Sequence, residues 1–90
     1  MRIAVIDDIA QDRTAAINLT KEYFIQRKEY EKMEIFFDEY DSGETFLNSY
    51  IKGLYDILLL DIHMKSLTGI DIAELPFNEN DIAILFANVL

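Results

Sequence analysis

The chain has no cysteine, one proline, one histidine and three glycines, and only eight lysines and arginines stand against seventeen aspartates and glutamates. Without cysteine there is no disulfide and no thiolate metal site, a usage in keeping with the cytosol. The shortage of cations leaves a formal net charge of −9 and a pI near 4.3. Such a surface repels nucleic-acid phosphates and anionic membranes, so this segment is expected to bind neither; cations and basic partners suit it better. No apolar run approaches membrane-spanning length, and the amino-terminal stretch, one arginine, four apolar residues and two aspartates, is too short for a signal peptide. There is no internal repeat, low-complexity tract or linker. What is present is 90 residues, 51% hydrophobic and 28% charged, the make-up of one small globular domain.

The stretch Tyr55 to Met64 organises the rest. Ile57-Leu58-Leu59-Leu60 is a continuous apolar run that stops at Asp61. A short run of this kind fits a strand buried on both faces, the habit of a central parallel strand. Period alone does not exclude a buried helix, but the shortness of the run and the upstream Gly53 favour strand. Asp61 would then lie at the carboxyl edge of a sheet, where open α/β sheets bind ligands; the plainer reading is a solvated strand end.

Arg2–Ile6 reads as another buried strand, ending in Asp7-Asp8. From Ala10 to about Glu29 the pattern is helical, with Ala16, Leu19, Thr20, Tyr23, Phe24 and Arg27 on one face. Asp12 suits the positive end of that helix. Met33–Tyr40 reads as a strand whose Glu34, Asp38 and Glu39 suggest an edge or a half-exposed face. Asp41 followed by Glu44 resembles a capping box. It opens a helix with a Phe46, Leu47, Tyr50, Ile51, Leu54 stripe, closed by Gly53; Ser42 and Thr45 are helix-start residues rather than modification sites. After the organising strand come a loop at Lys65–Gly69 and a helix from Ile70 that Pro76 stops at Leu75. A turn at Asn78–Asp81 and a fourth apolar strand, Ile82–Ala87, follow. Strands and helices thus alternate, which predicts an α/β fold with a parallel sheet, right-handed crossovers and helices on its faces.

Two apolar strands end in aspartate, at Asp7-Asp8 and at Asp61. If these strands are neighbours, three carboxylates converge on one crevice. Like charges at close range oppose full ionisation, and a divalent cation relieves them. Mg²⁺ takes a few carboxylate oxygens, a carbonyl and waters. A carboxylate beside such an ion can attack a phosphoryl donor and form an aspartyl phosphate. The bland alternative is a set of scattered surface acids in an acidic protein.

RIAVIDD, then DSGETF, then YDILLLDIHM followed by Gly69-Ile70, resembles the receiver domain of bacterial two-component response regulators, and YDSGETFLNSY before YDILLLDIHM is most similar to receivers of the LytTR class of transcription regulators. The likeness covers about residues 1–75. It implies a flavodoxin-like (CheY-like) three-layer fold with a parallel sheet, here truncated to about four strands in the order 2-1-3-4. It also implies a phosphoacceptor at Asp61 and Mg²⁺ held by Asp7, Asp8, Asp61 and the backbone carbonyl of His63. The implied donor is the phosphohistidine of a sensor histidine kinase, and the implied role is cytoplasmic phosphorelay signalling that regulates transcription through an effector domain beyond this chain. The chain would be a phosphoacceptor rather than a true enzyme. The histidine side chain itself is expected to point away from the site.

The chain also departs from the receiver pattern. Lys65 stands where receivers usually have proline, and Pro76 cuts the third helix short. The phosphate-sensing hydroxyl at the end of the fourth strand is replaced by Ala87 and Asn88, of which Asn88 could donate a hydrogen bond. The family's fifth strand with its lysine, and its fourth and fifth helices, are expected to be missing, leaving a receiver domain over residues 1–90 that is incomplete at its C-terminal end. Two alternatives follow. One is a protein-interaction module, dimeric or element-exchanged through the apolar edge of the fourth strand. The other is a doubly wound phosphohydrolase using an aspartate of the first strand as nucleophile, which the adjacent placing of Asp7 and Asp8 disfavours.

Overall fold

Four short parallel strands and two helices are seen in the computed structural model, which describes residues 1–28, 31–51 and 53–61 and the backbone of Ala83–Phe86. The elements are β1 (Arg2–Ile6), α1 (Ala10–Ile25), β2 (Phe36–Tyr40), α2 (Gly43–Ser49), β3 (Ile57–Leu60) and β4 (Ala83–Phe86). The sheet is ordered β2-β1-β3-β4. β1 pairs parallel with β2 from Arg2↔Phe36 to Ile6↔Tyr40, and with β3 from Ile3↔Ile57 to Ile6↔Leu60. β4 lies parallel to β3 in backbone register, Ile57↔Ala83 to Leu60↔Phe86. The loop at Lys65–Gly69, the helix expected at Ile70–Leu75, Pro76, and the site candidates His63 and Asn88 lie outside the described residues.

The continuous apolar runs are explained by burial on both sides. Successive side chains of a strand point to opposite faces. Ala4 and Ile6 of β1 join Leu58 and Leu60 of β3 on one face, packed with Phe46 of α2 and Tyr55. Ile3, Val5 and Leu59 face the other way, against Ala16 and Phe24 of α1. Every side chain from Ile3 to Ile6 is at most 2% exposed, so none of these four positions is available for a polar residue, and the next residue, Asp7, lies beyond the strand. β2 needs no such run because among the described residues it has one sheet neighbour; its Phe36 remains half exposed with Arg2 stacked over the ring.

Element ends differ from the sequence expectation where pairing or packing stops. β2 begins at Phe36, not Met33, because its ladder partner β1 begins at Arg2; Phe36 N–H donates to the Met1 carbonyl at 2.9 Å. α1 ends at Ile25, earlier than Glu29. Phe24 is its last buried residue, and beyond it the Arg27 N–H turns back to the Phe24 carbonyl in a tighter turn. α2 ends at Ser49, and Tyr50 is extended (φ −66°, ψ 130°). Phe46, Leu47 and Tyr50 do pack on the core, but Ile51 and Leu54 are exposed. Gly53 therefore does not close the helix. It sits at φ +83° in a separate turn in which Leu54 N–H reaches the Ile51 carbonyl, a position that favours glycine. The cap of α2 is also not the Asp41–Glu44 pair. Ser42 Oγ accepts the Thr45 N–H at 3.0 Å, and Thr45 Oγ1 donates back to Asp41 at 3.1 Å.

A polar cluster staples the α2 side of the sheet. Arg2 Nη1 donates to both Asp38 oxygens at 3.2 and 2.9 Å, Tyr55 OH donates to Asp38 Oδ2 at 2.8 Å, and Tyr40 and Tyr55 share a hydrogen bond. Asp38 is thus not an idle edge charge. It satisfies the hydroxyl of Tyr55, which is only 2% exposed and whose titration is pushed well above the usual tyrosine range by burial and by its two partners. No helix among the described residues is long and apolar enough to cross a membrane.

Candidate functional site

The parallel ladder brings the three predicted aspartates together. Because Ile6 and Leu60 are in register, the chain leaves β1 and β3 at the same edge of the sheet. Asp61 N–H donates to the Ile6 carbonyl at 3.0 Å, and Asp7 N–H donates to the Tyr40 carbonyl at 3.1 Å. These bonds extend both ladders by one step and anchor the two acids at the backbone. One carboxylate oxygen from each of Asp7, Asp8 and Asp61 lies within 4.8 Å of the others.

The three are not equivalent. Asp7 is 8% exposed, and its Oδ1 accepts the Ile9 N–H at 2.9 Å. That bond secures the backbone N–H of Ile9, the N-cap residue of α1. Burial raises the Asp7 carboxyl above its ordinary value; the Ile9 N–H opposes this, and the charges of Asp61, Asp12 and Asp8 reinforce it. Asp8 and Asp61 are half-buried at the crevice.

Arg13 of α1 also belongs to this edge. Arg13 Nη1 donates to the Asp7 carbonyl at 2.7 Å, and its Nε donates to Glu39 Oε1 at 3.2 Å. Its only sequence signal was being the first cation after the acid pair, within the opening turns of a helix that starts beside it.

The donor set is chemically suited to a hard divalent cation, which prefers oxygen ligands and is favoured where carboxylates crowd. At 4.8 Å and an effective dielectric near 20, two full charges repel by about 3 kcal/mol before solvent screening, a repulsion that a cation at this edge would relieve. Of the sequence candidates, Asp7, Asp8 and Asp61 are brought together, while His63 and Asn88 fall outside the described residues. No protein-family model, curated protein or solved structure matches the chain, so the site is read from its own residues.

Proposed function

We propose that this chain has the flavodoxin-like fold of a receiver domain and accepts a phosphoryl group on Asp61. The observation that carries the reading is the convergence of Asp7, Asp8 and Asp61, from two adjacent parallel strands, within 4.8 Å. Asp7, Asp8 and Asp61, with the His63 backbone carbonyl, would hold Mg²⁺. When bound, the ion supplies neutralisation of the charge on the transferring phosphoryl group.

The chain's own residues do the remainder. An Asp61 oxygen attacks the phosphorus of a phosphohistidine on a sensor histidine kinase; the new O–P bond forms as the P–N bond breaks, and the imidazole leaves and takes a proton from solvent. Asp7, fixed through its carbonyl, its N–H and its Oδ1, holds the crevice open at the edge of β1. In this reading the protein is a cytoplasmic phosphorelay component of LytTR type that regulates transcription, and Asn88 is the candidate for sensing the phosphate.

The test is acetyl phosphate or beryllofluoride with Mg²⁺, followed by mass and NMR. Modification of the wild type and none of Asp61→Asn is expected. Modification mapping to Asp7 or Asp8 would instead indicate a phosphohydrolase of another doubly wound type. An unmodified protein that remains folded would sink the phosphoacceptor reading.

A second reading, a protein-interaction module, is favoured by a different observation. Leu19 and Tyr23 of α1 are 59% and 50% exposed, beside an apolar groove of about 460 Å³ that also involves Met1, Phe24, Ile57 and Leu59. β4, an uncharged strand, is the last in the sheet among the described residues. Association through the β4 edge, as a dimer or by exchange of elements, predicts sedimentation that depends on concentration; a strict monomer would refute it.

A further inference from the structure

We infer that Arg13 is a positioning residue of the carboxylate site, an inference that rests on reading that site as a cation-binding one. Its side chain is 16% exposed and its donors form a fork, with Nη1 on the Asp7 carbonyl and Nε on Glu39. The fork joins three pieces of chain: the opening turns of α1, the backbone at the end of β1, and the penultimate residue of β2. The segment it holds, Asp7 to Ile9, carries two of the three converging carboxylates.

The contact is with the backbone of Asp7, not with its carboxylate, and the guanidinium charge is matched by Glu39. Arg13 therefore sets where the Asp7 and Asp8 carboxylates stand without neutralising them. It does so together with two other bonds on the same segment, Asp7 N–H to Tyr40 and Ile9 N–H to Asp7 Oδ1. A lysine is a single point donor on a flexible stem and cannot reproduce a planar fork with acceptors on two different strands.

Positioning and simple proximity of charge predict opposite signs. If Arg13 acted as a nearby positive charge, its removal would strengthen cation binding. If it positions the ligands, removal weakens binding, even where the charge is kept. Mg²⁺ is titrated calorimetrically into the full chain as wild type, Arg13→Met and Arg13→Lys, each well below its melting temperature, so that lost stability alone does not move the affinity.

The expected result is about tenfold weaker binding in Arg13→Met, the lower end of the loss typical when a partner that orients a metal ligand is removed. Arg13→Lys is also weaker despite its charge. Wild-type affinity or better in the Arg13 variants overturns the inference while leaving the cation site standing. If Arg13→Met does not fold, Arg13→Lys decides by the same comparison. A wild type that takes up no Mg²⁺ overturns the cation reading, and the inference with it.

Discussion

Asp8→Asn should make the metal-free protein more stable and the metal-loaded protein less so. The substitution keeps the side-chain shape and removes one of three charges that lie within 4.8 Å of one another. Asp8 faces two other carboxylates, each pair repelling by about 3 kcal/mol at an effective dielectric near 20. Asp8 and Asp61 are half-buried, so water and counterions reduce this severalfold, and burial has already raised the Asp7 carboxyl, which limits its charge as pH falls. A net gain of about 1 kcal/mol remains. In a domain of this size that raises the melting temperature by roughly 4–8 °C. Mg²⁺ should reverse the order, because a ligand stabilises the folded state more the tighter it binds, and the variant offers a neutral amide oxygen in place of a carboxylate. The assay is thermal unfolding by far-UV circular dichroism, in EDTA and then in saturating Mg²⁺. If Asp8→Asn melts at or below the wild type in EDTA, the carboxylates are not in conflict and the argument for a cation fails.

Further outcomes follow from the same geometry. The Asp7 carboxyl is raised above its ordinary 3.8, mainly by burial, so folding favours its protonated form; metal-free stability should increase as pH falls through its folded value towards 3.8, and Asp7→Asn should flatten that rise in urea titrations. Asp38 has the opposite sign: burial raises its carboxyl, but the hydrogen bonds from Arg2 and Tyr55 and the Arg2 charge outweigh it, leaving it lowered. Its contribution is present above 3.8 and is lost as pH falls through its folded value, a loss that should vanish in Asp38→Asn. Tyr55→Phe removes a buried hydroxyl bonded to Asp38 and Tyr40 and should cost about 1–2 kcal/mol in urea denaturation, with no change in Mg²⁺ affinity. Phe46→Ala removes a ring that is 0% exposed and packs on Tyr40, Tyr50 and Tyr55; a loss of about 3–5 kcal/mol is expected, enough to show as a collapsed melting transition.

The parts of this fold that were legible in the sequence are those governed by local pattern. β1 was bounded correctly, and the apolar run that became β3 was located, because a strand buried on both faces has no room for a polar residue and so announces its own ends. The three aspartates could be named for the same reason, as the first polar residues after those runs. Helix ends were less legible. α2 stops at Ser49 although its apolar stripe continues to Leu54, since only packing reveals that Ile51 and Leu54 find no core to cover.

Tertiary structure decided what no local pattern contains. The register Ile6↔Leu60 turns two separate strand ends into one crevice, because hydrogen-bond pairing, not sequence distance, sets which residues become neighbours. It also gave roles to two charged side chains. Asp38 satisfies Tyr55, and Arg13 reaches back from α1 to the carbonyl of Asp7 and across to Glu39. The residue types for a carboxylate site were written in the chain. The distance between them, and the arginine that holds it, came from the parallel sheet and the helix packed upon it, since long-range pairing is the one thing a linear pattern cannot specify.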